Sequence, residues 1–327
     1  MAARRPRTVL PPSNENQVYV TISAIEAGQL TFPERLFVTN VDPQKRVTVP
    51  TLSFLIRHPS EGPNGRDGKN LLFDLGMPRD LGRFPPSLQS HIADRQPISQ
   101  HPDVADNLRA GGLDPASDID VVILSHVHWD HVGTPEDFHN AKFVVGSGTF
   151  HVLENGVPPE SPSEIFVHDI LPPEKTFEFP PVAIDDPTAA PKQTDHDWRS
   201  LASFPAVIDF FGDGSLYVVD SPGHFPGHIA LLARVAKNRW VLMGGDCCHD
   251  LRILTGEKGI AEFNQEGFGP RTMHVDTDAA KRTLGRINDV LERIELSRNN
   301  NEQVEVIVAH DAGWKERNPH RFFPNTL

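Results

Sequence analysis

His126-Val127-His128-Trp129-Asp130-His131 brings three imidazoles and a carboxylate together within a single short stretch of chain. Imidazole and carboxylate sets hold borderline-soft divalent metals, zinc foremost among them. The i, i+2, i+4, i+5 spacing fits neither a straight helix nor a straight strand. A tight turn running into a short helix would let His126 and His128 face one ion while Asp130 and His131 face another. Two divalent ions held side by side bring water deprotonation near neutral pH and polarise a carbonyl, which is the chemistry of hydrolysis. The remaining ligands must come from elsewhere in the chain.

The elements that would position them are visible as apolar runs. The cluster follows Val121-Val122-Ile123-Leu124, preceded by the turn formers Asp114-Pro115 and Asp118-Ile119-Asp120, the pattern of a fully buried strand. Leu216-Tyr217-Val218-Val219-Asp220 is another such run, and it leads into Ser221-Pro222-Gly223-His224, a rigid turn presenting a histidine. Arg239-Trp240-Val241-Leu242-Met243 ends in Gly244-Gly245-Asp246, and the run 304–309 closes on His310-Asp311. Four strands thus each deliver a metal-type residue at the C-terminal end, where ligands of open α/β folds gather. Residues 276–297 form an amphipathic helix, with Leu284, Ile287, Leu291 and Ile294 at three- and four-residue spacing for core packing. His228 is expected as a supporting or loop histidine. His58, His91, His101, His139, His151, His168, His196, His274 and His320 lack ligand spacing and are expected to be solvated.

The full constellation resembles the metallo-β-lactamase superfamily over nearly the whole chain. That resemblance implies an α/β fold, a four-layer αββα sandwich with its metals at one edge. Leu71-Leu72-Phe73-Asp74-Leu75-Gly76 looks like the family's early strand and turn, with Asp74 in the place of a supporting aspartate. Matched residue by residue, His126, His128 and His224 would hold the first metal and Asp130, His131 and His310 the second, with Asp246 bridging both. The cofactor implied is a pair of Zn2+ ions. Asp246 points away from true zinc β-lactamases, which generally lack the bridging aspartate, and His128 away from flavodiiron proteins, which carry a glutamate there. Nuclease and phosphodiesterase branches act on polyanions, whereas this chain has a formal net charge of −13, so no nucleic-acid partner is expected.

Within the superfamily the chain resembles the N-acyl-homoserine lactone lactonases and related small-ring hydrolases. The resemblance rests on Asn107-Leu108-Arg109-Ala110-Gly111-Gly112-Leu113-Asp114-Pro115, on Ser125 through Gly133, and on Gly28-Gln29-Leu30 after a strand over Val18-Tyr19-Val20-Thr21-Ile22. It departs at one position. Those lactonases place a tyrosine three residues beyond the bridging aspartate, and here that residue is His249. The resemblance implies a dizinc hydrolase that opens a lactone, γ-lactam or cyclic carbamate by attack of a metal-bridging hydroxide. Asp130 and His249 are the candidates for proton relay, and a quorum-quenching role comes with the resemblance. The alternatives are a thioesterase or glyoxalase II-like hydrolase, and a mono-iron sulfur dioxygenase.

Composition sets the frame. The 327 residues are expected as a flexible tail over 1–16 and one domain over 17–327, because ligands from His126 to His310 must meet at one site. A proline-rich insertion at about 157–200 forbids a long helix and either roofs the site or is decoration; a second insertion lies around Phe84-Pro85-Pro86. Trp129 and Phe225 border ligand positions, as pocket lining or as core. The adjacent Cys247-Cys248 suits small buried groups rather than a disulfide framework. No stretch approaches a membrane span and the basic N-terminus lacks the apolar run of a signal peptide, so a cytoplasmic protein with a small-molecule cyclic substrate is expected, a homodimer being left open.

Overall fold

The computed structural model describes residues 9–59, 68–158, 161–183, 193–265, 269–297 and 301–327. Tail residues 1–8, and residues 159–160 and 184–192 of the proline-rich insertion, lie outside the described residues. One sheet has the strand order β1 (Thr21–Pro33), β2 (Arg46–His58), β3 (Lys69–Phe73), β4 (Val121–Ile123), β5 (Lys142–Val145), β8 (Thr176–Glu178). The other runs β16 (Gln303–Ile307), β13 (Arg239–Met243), β12 (Ile229–Ala236), β11 (Leu216–Asp220), β10 (Phe204–Asp209), β9 (Arg199–Leu201). Two small hairpins, β6–β7 (Gly156–Val157, Ser161–Pro162) and β14–β15 (Phe263–Gln265, Gly269–Arg271), stand apart from them.

Period-2 patterning explains why the sheets stack. Leu71 and Phe73 of β3 and Leu216 and Val218 of β11 join one buried cluster between the sheets, while Leu72, Tyr217 and Val219 face the opposite way into a second. That second cluster takes in Leu88 and Ile92 of α1 (Pro86–Ala93) and Val104 and Leu108 of α2 (Val104–Ala110). It also takes in Leu284, Ile287 and Val290 of the long helix at Thr277–Leu296. Helices therefore cover the outer faces, giving the αββα sandwich. The remaining helices are α3 (Thr149–Asn155), α4 (Leu251–Leu254), the long helix α5 (Thr277–Leu296) and α6 (Ala312–Arg317).

Several expectations change. The first strand starts at Thr21 and runs through Gly28-Gln29-Leu30 to Pro33, with a register shift between Glu26 and Gln29 that the positive φ of Gly28 accommodates. The short helix expected after the histidine cluster is delayed and is 3-10 rather than α: a turn closes where His131 N–H donates to His128 O at 3.0 Å, and a 3-10 helix over Pro135–Asp137 comes only after it. The reason is a competing partner, since the loop is stitched to the 74–76 turn by Leu75 N–H to His131 O at 2.8 Å and Gly133 N–H to Gly76 O at 3.0 Å. Of residues 9–16, expected as tail, Val9 to Pro11 and Ser13 are docked, while 14–16 stay exposed. Leu10 is buried, its N–H donates to Glu302 Oε1 at 3.1 Å, and Arg234 donates to Pro11 O at 2.6 Å. The Phe84-Pro85-Pro86 insertion becomes the start of α1, with Pro86 at the first helical position.

Candidate metal centre

Four strands of the two sheets end at one edge, and each hands a side chain to it. β4 runs into the loop carrying His126, His128, Asp130 and His131; β11 leads to His224, β13 to Asp246 and β16 to His310. The β11 turn is tight by necessity. Gly223 has φ +130°, and a Cβ there would lie 2.2 Å from the backbone nitrogen of Ala280 on α5. The N-terminus of α5 in turn grips this turn: Asp276 N–H donates to Gly223 O at 2.9 Å, Val275 N–H to His224 O at 3.0 Å, and Thr283 Oγ1 to Pro222 O at 2.7 Å. The helix itself is capped by Asp276, whose carboxylate accepts from Ala279 N–H at 2.8 Å.

All seven sequence-nominated ligand residues converge, in two sets. Nδ1 of His128 lies 2.9 Å from Nε2 of His126 and 3.0 Å from Nε2 of His224. Asp246 Oδ2 lies 3.4 Å from His224 Nε2 and 3.9 Å from His126 Nε2. Asp246 Oδ1 turns to the other set, 3.4 Å from His131 Nε2 and 3.3 Å from His310 Nε2, while Asp130 Oδ2 is 3.6 Å from His310 Nε2. An ion with ligands at about 2.0–2.2 Å in tetrahedral array spaces its ligand atoms roughly 3.4 Å apart, so both sets have the span that a small divalent metal ion requires. The donor chemistry agrees. His131 Nε2 and Asp246 Oδ1 are buried and have no hydrogen-bond partner, a condition that a cation between them relieves.

The outward nitrogens of three of these rings, those of His126, His131 and His310, are fixed by the chain. Asp74 Oδ2 is 2.9 Å from His131 Nδ1 and accepts from Ser125 Oγ at 2.8 Å, while its Oδ1 accepts from Ser125 N–H at 2.6 Å. Ser125 Oγ is 3.0 Å from His126 Nδ1, and Pro50 O is 2.8 Å from His310 Nδ1. His228 stands behind the bridge: its Nε2 accepts from Asp246 N–H at 3.0 Å and its Nδ1 faces Ser221 O at 2.9 Å. Such outer partners set the tautomer and orientation of ligating side chains.

Electrostatics divide the site. Burial, then the neighbouring imidazoles, hold His126 well below its ordinary pKa. His128 is pushed down to about 3 by burial, against the pull of Asp246, and His224 is likewise lowered, so these rings are neutral and free to ligate at pH 7. Burial would also lower His131 and His310, but the carboxylate of Asp246, with Asp74 for the first and Asp130 for the second, outweighs it and raises both. Burial would raise Asp246, yet His310, His131 and His249 around it hold it ionised, well below the usual carboxylate range.

His249 joins the centre directly. Its Nε2 lies 3.2 Å from Asp246 Oδ2, and its ring is stacked on that of His310 at 5.9 Å with 7° between planes. His274 corrects the expectation of a solvated residue: it is buried, two residues before the α5 cap Asp276, with its ring centroid 5.3 Å from that of His224 and 5.4 Å from that of His249. His91 is corrected too, being partly buried against Trp129, and His58 pairs with Asp213 at 2.7 Å. Above the centre opens a cavity of about 380 Å³ with largely apolar walls, among them Leu30, Phe37, Leu88, Trp129, Phe225 and Met273. Ser161 and Ile165 of the proline-rich insertion line it as well. Sequence spacing gave no signal for His91, Arg95 or His274, which reach the cavity from outside any ligand motif. The adjacent Cys247 and Cys248 are buried thiols that follow Asp246 in the chain.

A family model for the metallo-beta-lactamase superfamily matches residues 47–238. The monooxygenase mpaDE of Penicillium roqueforti is 30% identical over 97% of this chain but only 36% of its own length, so this chain spans about a third of that relative. Gamma-lactamase FDB1 of Fusarium pseudograminearum is 31% identical over 75% of this chain and 57% of that protein. Among solved structures, an N-acyl homoserine lactone hydrolase with the product N-hexanoyl-L-homoserine at its catalytic metal centre superposes with a TM-score of 0.62. It covers 95% of this chain and 100% of that one at 18% identity, a likeness of fold.

Proposed function

The chain belongs to the metallo-beta-lactamase superfamily of metal-binding hydrolases, and from that membership we propose that it opens a small cyclic ester or amide with two zinc ions. The substrate classes are lactones, γ-lactams and cyclic carbamates. The observation that carries this reading is Asp246, whose two carboxylate oxygens each face a separate set of ligand residues at the floor of an apolar cavity. A closed structural zinc site saturates its ligands and has no such open side. Likeness to a gamma-lactamase supports the choice of ring substrates.

When bound, the ions supply Lewis acidity to a carbonyl and make water acidic enough to attack it near neutral pH. The chain's residues supply the rest. Asp74 and Pro50 lock the rings of His131 and His310, so that the centre needs no reorganisation when charge develops on the substrate. Phe37, Trp129 and Phe225 wall the cavity against bulk water and offer flat apolar surface to a ring. His249, poised beside Asp246 Oδ2, is the donor for the departing atom. An imidazole exchanges protons near neutrality far more readily than a phenol of pKa about 10, and a nitrogen leaving group needs that proton more than an alkoxide does.

The test is a panel of lactones, γ-lactams, cyclic carbamates and thioesters incubated with zinc-loaded protein and read by mass spectrometry. At least one ring class should gain the mass of one water, with the reaction lost on chelation and restored by zinc. Turnover of thioesters alone would move the assignment to an acyl-thioester hydrolase.

A further inference from the structure

Arg95 is a buried cation that neither the fold nor the metal centre uses. It lines the cavity, is 5% exposed, and its side chain makes no hydrogen bond or ion pair among the described residues. Its near contact is aromatic: the guanidinium carbon lies 6.0 Å from the centroid of Phe37. Asp130 and Asp94 act on it only through space, and burial dominates, holding its pKa below the ordinary arginine value. Removing a charge from water without a partner is costly, and a buried guanidinium normally finds a carboxylate or carbonyl.

The backbone around it is not loose. Arg95 N–H donates to Ile92 O at 3.0 Å, and its carbonyl accepts from Thr31 N–H at 2.9 Å on β1. Arg46 clamps both sides, donating to Asp94 O at 2.7 Å and Gln96 O at 3.1 Å. The chain therefore places this guanidinium in the cavity with its donors unspent. His91 stands close by, pushed down to about 3 by burial and by the charge of Arg95, so it is a neutral ring that offers one N–H without adding charge. Donors with no acceptor among the described residues, set in the cavity on a fixed backbone, await an acceptor carried by the ligand.

We propose that Arg95 binds a carboxylate borne by the substrate beside its scissile ring, making the preferred substrates acidic lactones or lactams. This deepens the ring-hydrolase reading and rests on it for the position of the ring. The planar fork of one guanidinium matches the two oxygens of a carboxylate, and Phe37 beside it shields the pair from bulk water. Asp94 and Arg271 also line the cavity, whereas Asp130 and Asp246 belong to the candidate metal sets, so Arg95 is the cation tested by substitution.

Two matched pairs separate charge from shape: pyroglutamate with pyroglutamamide, and γ-butyrolactone-γ-carboxylate with its carboxamide. Their Kd values are measured by calorimetry on the zinc-loaded protein, on Arg95→Gln and on Arg95→Lys, with thermal melts as the check on folding. The unaltered protein should prefer each carboxylate by at least about tenfold, the yield of a charge-assisted hydrogen bond. Arg95→Gln should bring the ratio to about one, and Arg95→Lys should reduce it several-fold; the lysine variant decides the matter if the glutamine variant does not fold. A ratio near one in the unaltered protein, or no binding of either member, overturns the proposal. So does an undiminished ratio in the folded variants. Ring opening is followed in the same samples: a carboxylate preference without turnover leaves Arg95 assigned and sinks the ring-hydrolase reading, and turnover without preference does the reverse.

Discussion

His249 is the residue on which the proposed ring-opening reaction makes its finest demand. It touches Asp246 Oδ2 at 3.2 Å and lies between the rings of Phe37, at 4.8 Å, and His224, at 4.9 Å. If it hands a proton to the departing atom, His249→Ala and His249→Tyr should lower kcat for a γ-lactam by roughly 10²–10⁴-fold, the usual worth of general acid catalysis, and lower kcat for a lactone much less. Metal content measured alongside must stay level, because a loss of ions would explain any fall. Equal rates on both rings in both variants would remove His249 from the chemistry. At this scale the sequence was highly legible where ligands clustered along the chain and silent where they did not. His126, His128, Asp130 and His131 share one loop and announce themselves; His274 and Arg95 reach the cavity through the folding of α5 and of the segment after α1, which no local spacing records.

Among the elements, α5 has more than the packing role that its apolar stripe implies. Its capped N-terminus holds the Gly223-His224 turn by two backbone hydrogen bonds and one from Thr283, so the first ligand set depends on how helix and turn fit together. Gly223→Ala tests that dependence, since a Cβ would strike Ala280 and φ +130° is strained for any side chain. The expected outcome is a folded protein destabilised by more than about 1 kcal/mol, with weakened metal binding at the set containing His224. Cobalt substitution followed by visible absorption reads that set separately from the other, and unchanged spectra and melting would contradict the coupling. The periodicity of residues 276–297 located this helix almost to the residue, with Asp276 as its cap. The short helix expected after His131 begins only at Pro135, as a 3-10 helix, because hydrogen bonds to the distant 74–76 turn claim the backbone of His131 and Gly133, a tertiary competition that a local pattern does not contain.

For the molecule as a whole, a centre built from buried histidines sets acid sensitivity. Burial pushes His91 and His274 down to about 3 and His228 to about 4, whereas in the unfolded chain each titrates at its ordinary value of about 6.5. Between those values the unfolded state binds protons that the folded state refuses. Their contribution is therefore whole above about pH 6.5 and declines as pH falls toward 4, at roughly 1.4 kcal/mol per pH unit for each group. His126, His128 and His224 act in the same direction; the raised His131 and His310, and Asp220, pushed up to about 6 by burial, oppose it, so with six histidines against three groups the balance in metal-free protein favours loss on acidification. Urea midpoints of chelator-treated protein should fall between pH 7 and pH 5, and a flat or rising profile would contradict this balance. The central claim is a pair of ions joined by Asp246, and elemental analysis by plasma mass spectrometry after gel filtration tests it most directly. The account predicts two zinc ions per chain in the unaltered protein and one or fewer in Asp246→Ala. A single ion per chain in the unaltered protein, above all a single iron, or two ions retained in Asp246→Ala, would contradict it.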